Sequence, residues 1–146
     1  MEEDVRSIVP TIFDSGLLDQ LVATGCHIQH PDRYFAFVEQ RLPIVGSMAS
    51  GGEWLCAKGP ASSYDEWLDT LRSAITRGVG DASPHDVAVV VGDNMTNYAY
   101  TLRYGQFIAH VGDFFSIPQD TYVLLQSNKV CLQYTFEDEL FLYRLE

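Results

Sequence analysis

The sequence predicts an α+β fold: an antiparallel β-meander of about five to six strands over residues 87–145, packed against helices that include 64–77 and roughly 10–24. Three observations carry the prediction. The last third of the chain is a series of short β-branched, aromatic and aliphatic runs separated by turn residues. Ser63 and Glu66 stand at capping-box spacing just ahead of an apolar stripe. The segment from Ile8 to Val22 repeats apolar residues at helical spacing.

The acidic start Met1-Glu2-Glu3-Asp4 is expected to fray. Ile8, Ile12, Phe13, Leu17, Leu18, Leu21 and Val22 then give the first helix its stripe. Pro10 suits its first turn and Gly25 its stop, while Gly16 threatens to divide it. Between Pro31 and Leu42, the residues Tyr34, Phe37, Val38, Arg41 and Leu42 fit a helix opened by Pro31 and closed by Pro43. Alternation within the same stretch fits a strand; helix is the reading and strand the alternative. Gly46 to Gly52 is a loop by composition, and Glu53–Ala57 a short strand.

In the next helix, the Ser63 hydroxyl is placed to accept from the Glu66 N–H and the Glu66 carboxylate to reach back to Ser63. Tyr64, Trp67, Leu68, Leu71, Ala74 and Ile75 form its apolar face, expected to lie on the sheet. Asp65, Glu66 and Asp69 suit its positive N-terminal end and Arg72 and Arg77 its far end, with Gly78 closing it.

The sheet runs are Val87–Val91, Tyr98–Tyr104, Gln106–Val111, Tyr122–Gln126, Lys129–Phe136 and Leu140–Leu145. Turn residues separate them: Gly92-Asp93-Asn94, Gly112-Asp113, Ser127-Asn128 and Glu137-Asp138. A period of two puts Val130, Leu132, Tyr134 and Phe136 on one face, opposite Cys131, Gln133 and Thr135. Leu140–Leu145 is apolar on both faces, so it is central or covered on each side; Val87–Val91 reads as interior. The two Val-Gly-Asp triplets, at 91–93 and 111–113, each read as a strand followed by a turn.

A length of 146 residues fits a single domain, 1–146, able to bury a core without metals or cross-links. Hydrophobic content of 47% excludes a disordered chain. No apolar run approaches a membrane span, and the acidic start is the opposite of a signal-peptide n-region. Cys26, Cys56 and Cys131 are an odd number without a CxxC, as in a reducing cytoplasm, so the expectation is a cytoplasmic protein. Nine basic against twenty acidic residues give a net charge of −11, which repels polyanions and argues against nucleic acid as a partner. It suits a basic partner, steered by complementary charge.

Motifs for chemistry are sparse. Cys26, His27 and His30 offer part of a zinc site that His85, His110 or a carboxylate would have to complete, against the reading of a polar turn. A cysteine nucleophile would draw on Cys26 or Cys56 with His85 or His110, yet neither stands in a nucleophile motif. Glu137, Asp138 and Glu139 supply paired carboxylates but read first as a solvated turn. Gly51-Gly52 lacks the Lys and Ser/Thr of a phosphate loop. No catalytic residue, metal ligand or cofactor is therefore assigned.

The expected site is an acidic surface interleaved with tyrosines: Asp65, Glu66, Asp69, Asp93, Asp113, Glu137, Asp138, Glu139, Tyr98 and Tyr100. In size, acidity, α+β pattern and lack of catalytic motifs the chain resembles, as a class, immunity proteins that neutralise bacterial toxins. That resemblance implies a small cytoplasmic binding protein, not an enzyme, which masks a nuclease or deaminase toxin by occluding its groove. It carries over no residue. The alternatives are a small Cys/His-dependent enzyme and a homo-oligomeric scaffold whose closing strand forms the interface.

Overall fold

The computed structural model describes residues 8–32, 34, 44–45, 48–49, 52–59 and 63–144. The acidic start, most of the 31–42 segment and most of residues 46–52 lie outside them; within that expected loop Met48–Ala49 is a strand, paired with Ile44–Val45. The elements are α1 (Ile12–Leu21), β1 (His27–Gln29), β2 (Ile44–Val45), β3 (Met48–Ala49), β4 (Glu53–Ala57), α2 (Tyr64–Val79), β5 (Val87–Gly92), β6 (Ala99–Arg103), α3 (Tyr104–Ala109), α4 (Val111–Phe115), β7 (Thr121–Leu125), β8 (Val130–Tyr134) and β9 (Glu139–Arg144). Strands β2 and β3 pair only with each other, and the other seven form one antiparallel sheet in the order β1-β6-β5-β7-β8-β9-β4. This is the expected α+β architecture, with β1 and β4 added at the two edges. No helix among the described residues is long and apolar enough to cross a membrane.

Alternation decides the layers. Ala88 and Val90 of β5, Val123 and Leu125 of β7, Leu132 and Tyr134 of β8, and Leu140 and Leu142 of β9 join α1, α2, α3 and α4 in one core. Their neighbours Val89, Val91, Tyr122, Leu124, Cys131, Phe141 and Tyr143 make a second core with Tyr34 on the opposite face. Both faces are thus buried, which is why β9 is apolar on each side. Gln133, also on the second face, is satisfied there: it donates to the Tyr122 hydroxyl at 3.3 Å and accepts from Tyr143 at 2.9 Å.

One expected strand is helical. Gln106–Val111 belongs to α3 and the start of α4, and Gly112-Asp113 lies within α4. The topology gives the reason. Strands β6 and β7 both run antiparallel to β5, one on each side of it. They are therefore parallel to each other, and parallel strands need a crossover connection, not a hairpin. Phe107, Val111, Phe114 and Phe115 supply its buried face, and Gly112 lets α4 press against Tyr64 and Leu68 of α2.

The helix ends differ slightly from expectation. A capping box closes at Thr11 and Asp14, so Pro10 precedes the N-cap, and Gly16 sits inside α1 without dividing it. At α2, Ser63 Oγ accepts from the Glu66 N–H at 3.2 Å. That helix continues through Gly78 to Val79 and is capped by Gly80 at φ +79°. Gly78 is a packing glycine: a Cβ there would come within 3.0 Å of Leu55.

Candidate functional site

The register gathers charge at one end of the sheet. Gly92 lies across from Thr121, Thr121 from Tyr134, Tyr134 from Leu140, and Ala57 from Glu139. Glu139 ends this line, and just beyond it come Asp93, Asp120, Glu137 and Asp138. Helix α2 begins here as well, because the Trp67 indole N–H donates to the Tyr134 hydroxyl at 3.1 Å, and so Asp65 and Glu66 join the same end. Lys58 is the basic residue among them in the described residues. At the opposite end Val87 pairs with Arg103, and Val130 with both Leu125 and Arg144. Asn128 Nδ2 donates to the Asp81 carbonyl at 3.1 Å, placing the far end of α2 there. Charges alternate at that end: Arg77, Arg103, Lys129 and Arg144 with Asp81 and Asp86.

A pocket of about 390 Å³ opens at the acidic end between the first turn of α2 and the β8–β9 turn. Its floor is aromatic. Tyr134 stacks on Phe115 with ring centroids 4.6 Å apart and planes at 12°. Trp67 meets Tyr134 at 6.0 Å and Tyr64 at 5.7 Å. Tyr64 and Phe136, 54% and 68% exposed, also line the pocket. The Lys58 ammonium sits over the Trp67 ring, 5.1 Å from its centroid. A hydrogen-bond chain runs from the Trp67 N–H through the Tyr134 hydroxyl to Asp138 Oδ1, the second step at 3.0 Å. Burial, then the Asp138 charge, raises the Tyr134 phenol, so it remains a proton donor. Asp138 holds φ +62° in the turn, a conformation Asp and Asn tolerate, and its carbonyl accepts from the Lys58 backbone N–H at 3.0 Å.

The other acids differ in role. Asp120 Oδ1 accepts from the Phe136 N–H at 2.6 Å, and the Asp120 N–H donates to Asp93 Oδ1 at 3.2 Å, which fixes the turn beside the pocket. Burial, then the Asp120 charge, raises the Asp93 carboxyl above its ordinary value. Glu139 accepts from the Trp54 indole at 3.1 Å. Asp69 lies one turn further along α2. Asp113 stands apart on α4, where its carboxylate is 2.9 Å from His110 Nδ1.

Tyr98 and Tyr100 are not on the surface. They are 7% and 1% exposed and point into the helical core, as alternation with Leu102 requires. The Tyr100 hydroxyl donates to buried Asp14, whose other oxygen accepts from the Thr11 N–H at 2.9 Å and the Asn97 N–H at 2.8 Å. This carboxylate clasps α1 to the β5–β6 loop. Phe136, expected to continue the inner face of β8, instead projects past the end of the strand.

The cysteines and histidines are dispersed. Cys26 and Ile28 pack toward the helical core, while His27 is exposed. His30 Nδ1 accepts from the Asp32 N–H at 3.3 Å. Among the described residues no group of three or more His, Cys, Asp or Glu is arranged to hold a metal. Burial pushes the Cys26 thiol up to about 11, that of Cys131 up to about 12, and that of Cys56 upward, so all three are thiols at neutral pH. Strand β9 lies between β8 and β4 with Leu140, Phe141, Leu142 and Tyr143 buried within the chain, so these side chains offer no face to a second copy.

Sequence reasoning singled out the acids of the β8–β9 turn and of α2, which the fold brings together, but not Lys58, Tyr64, Trp67 or Phe136 as site residues. The one available signal was an aromatic, Phe136, next to three consecutive acids. Compared with known proteins, the chain matches no family model, no curated protein and no solved structure.

Proposed function

We propose that this protein binds a basic protein partner through the acidic end of its sheet. The observation that carries the reading is the gathering of Asp65, Glu66, Asp93, Asp120, Glu137, Asp138 and Glu139 at one end of the sheet, where Asp138 lines an aromatic pocket, with mixed charges at the other end. A concentrated negative field speeds encounter with a cationic surface, and aromatic rims supply desolvated contact area once it is reached. Stable binding there occludes the partner's basic groove.

In its most concrete form the protein is a cytoplasmic immunity protein that masks a secreted toxin of nuclease or deaminase type. Such toxins carry a basic groove for nucleic acid, and an acidic mask competes for it. The test is co-expression with secreted nuclease or deaminase domains, any encoded beside this protein's gene first. Restored growth is expected, together with an association rate that falls steeply as salt is raised. Growth arrest in the presence of this protein, or an association rate indifferent to ionic strength, would falsify the reading.

A further inference from the structure

The pocket at the acidic end already holds a cation. Lys58 comes directly after β4, its backbone N–H is tied to the Asp138 carbonyl at 3.0 Å, and its ammonium rests on the Trp67 face. The ring beneath it is rigid: Trp67 is 4% exposed, bonded through its N–H to Tyr134, which is stacked in turn on Phe115. The lid is not. Lys58 is exposed and carried on a flexible four-carbon stem. A prebuilt aromatic seat, a carboxylate at its rim and a movable internal ammonium form a recognition site for a positive group, with Lys58 as its resident stand-in.

We infer, resting on the proposed binding of a basic partner, that this pocket anchors one arginine side chain of that partner, which displaces the Lys58 ammonium from the Trp67 face. Arginine fits better than a second lysine for two reasons. Its planar guanidinium stacks on the indole and faces Asp138 with paired donors, whereas an ammonium offers a point charge that Lys58 already provides on a tether. Tyr64 and Phe136, both exposed in the pocket's lining, offer apolar surface to the aliphatic stem of the incoming side chain. Lys58, once displaced, is left among carboxylates in water.

The chain has two tryptophans, so in a Trp54→Phe background the fluorescence reports Trp67. Titration with Nα-acetyl-argininamide is compared with its uncharged isostere Nα-acetyl-citrullinamide at matched ionic strength. Saturable quenching by the arginine compound is expected, with the citrulline compound at least about fivefold weaker. Lys58→Met, which removes the resident charge from the seat, lowers the half-saturating concentration about fivefold, and Asp138→Asn, which keeps the turn, raises it by a similar factor. Lys129→Met at the opposite end changes nothing.

Equal titration by the two compounds, or no saturation even in Lys58→Met, overturns the inference. Tetramethylammonium binding more tightly than the arginine compound overturns it in favour of a small quaternary ligand. The two readings fail separately. A basic partner lost on reversing Asp65 and Glu137 but indifferent to Lys58→Met and Asp138→Asn removes the arginine seat and leaves the acidic-end reading standing. Arginine binding in the pocket without any basic protein partner does the reverse.

Discussion

The two ends of the sheet are built from the same strands and differ only in the residues that cap those strands. At one end β5, β7, β8 and β9 meet carboxylates, with Lys58 as the local cation among the described residues; at the other, Arg103, Lys129 and Arg144 alternate with Asp81 and Asp86. The apolar alternation runs through both ends unchanged. The difference teaches that packing and charge are set separately here. Core residues specify which strands pair, and turn residues, free of that duty, decide which end carries the field.

The comparison is tested first at the acid that belongs to the fold. Asp14 is fully buried and accepts from Tyr100, Asn97 and Thr11. Asp14→Ala leaves those donors unpaired and is expected to cost about 3 kcal/mol or more by urea denaturation. If it is neutral, the clasp at this end contributes nothing to folding. Reversing the exposed acids Asp65 and Glu137 to Lys is expected to leave the fold intact and slow partner association by about tenfold or more at low salt. The same reversal of sign at Lys129 and Arg103 is expected to leave the rate unchanged, and equal effects at both ends erase the distinction.

A smaller effect, about 1 kcal/mol of stability, is expected from Ser63→Ala, which removes the cap of α2; loss of helical circular dichroism at a lower urea concentration reads it. The smallest concerns Asp93. Because its carboxyl is raised, the folded chain still holds a proton that the unfolded chain has released, so stability falls as pH rises through the carboxylate range. Asp93→Asn removes that loss. It is expected to raise the melting temperature slightly at neutral pH, with the gain vanishing below the carboxylate range; a gain that persists in acid contradicts the assignment.

Much of the fold was legible because its signals are local. Period two identified β8 and β9, an unbroken apolar run identified β5, and the Ser63 cap with the Trp67 stripe placed α2. The illegible part is non-local. Gln106–Val111 is apolar enough for a strand in a short window. Its helical period emerges only when Phe107, Val111 and Phe114 are taken together, and the need for a crossover emerges only once β7 is known to lie beside β5. The site obeys the same rule. The acids of the β8–β9 turn and of α2 are visible separately, whereas their meeting depends on a bond between Trp67 and Tyr134 across 67 residues of chain. Tyr98 and Tyr100 carried a readable signal, since they alternate with Leu102 toward the helices.

A sheet buried on both faces leaves its rims as the parts of it that reach solvent. Glu137, Asp138 and Phe136 stand on such a rim in the β8–β9 turn, with Lys58 just past the end of β4. On the proposed reading, a lineage that exchanges these few side chains alters which partner is welcomed while the strands beneath remain as they are. Divergence in recognition is therefore cheap for this architecture, and close kin of this chain are expected to vary most at the rim beside Trp67.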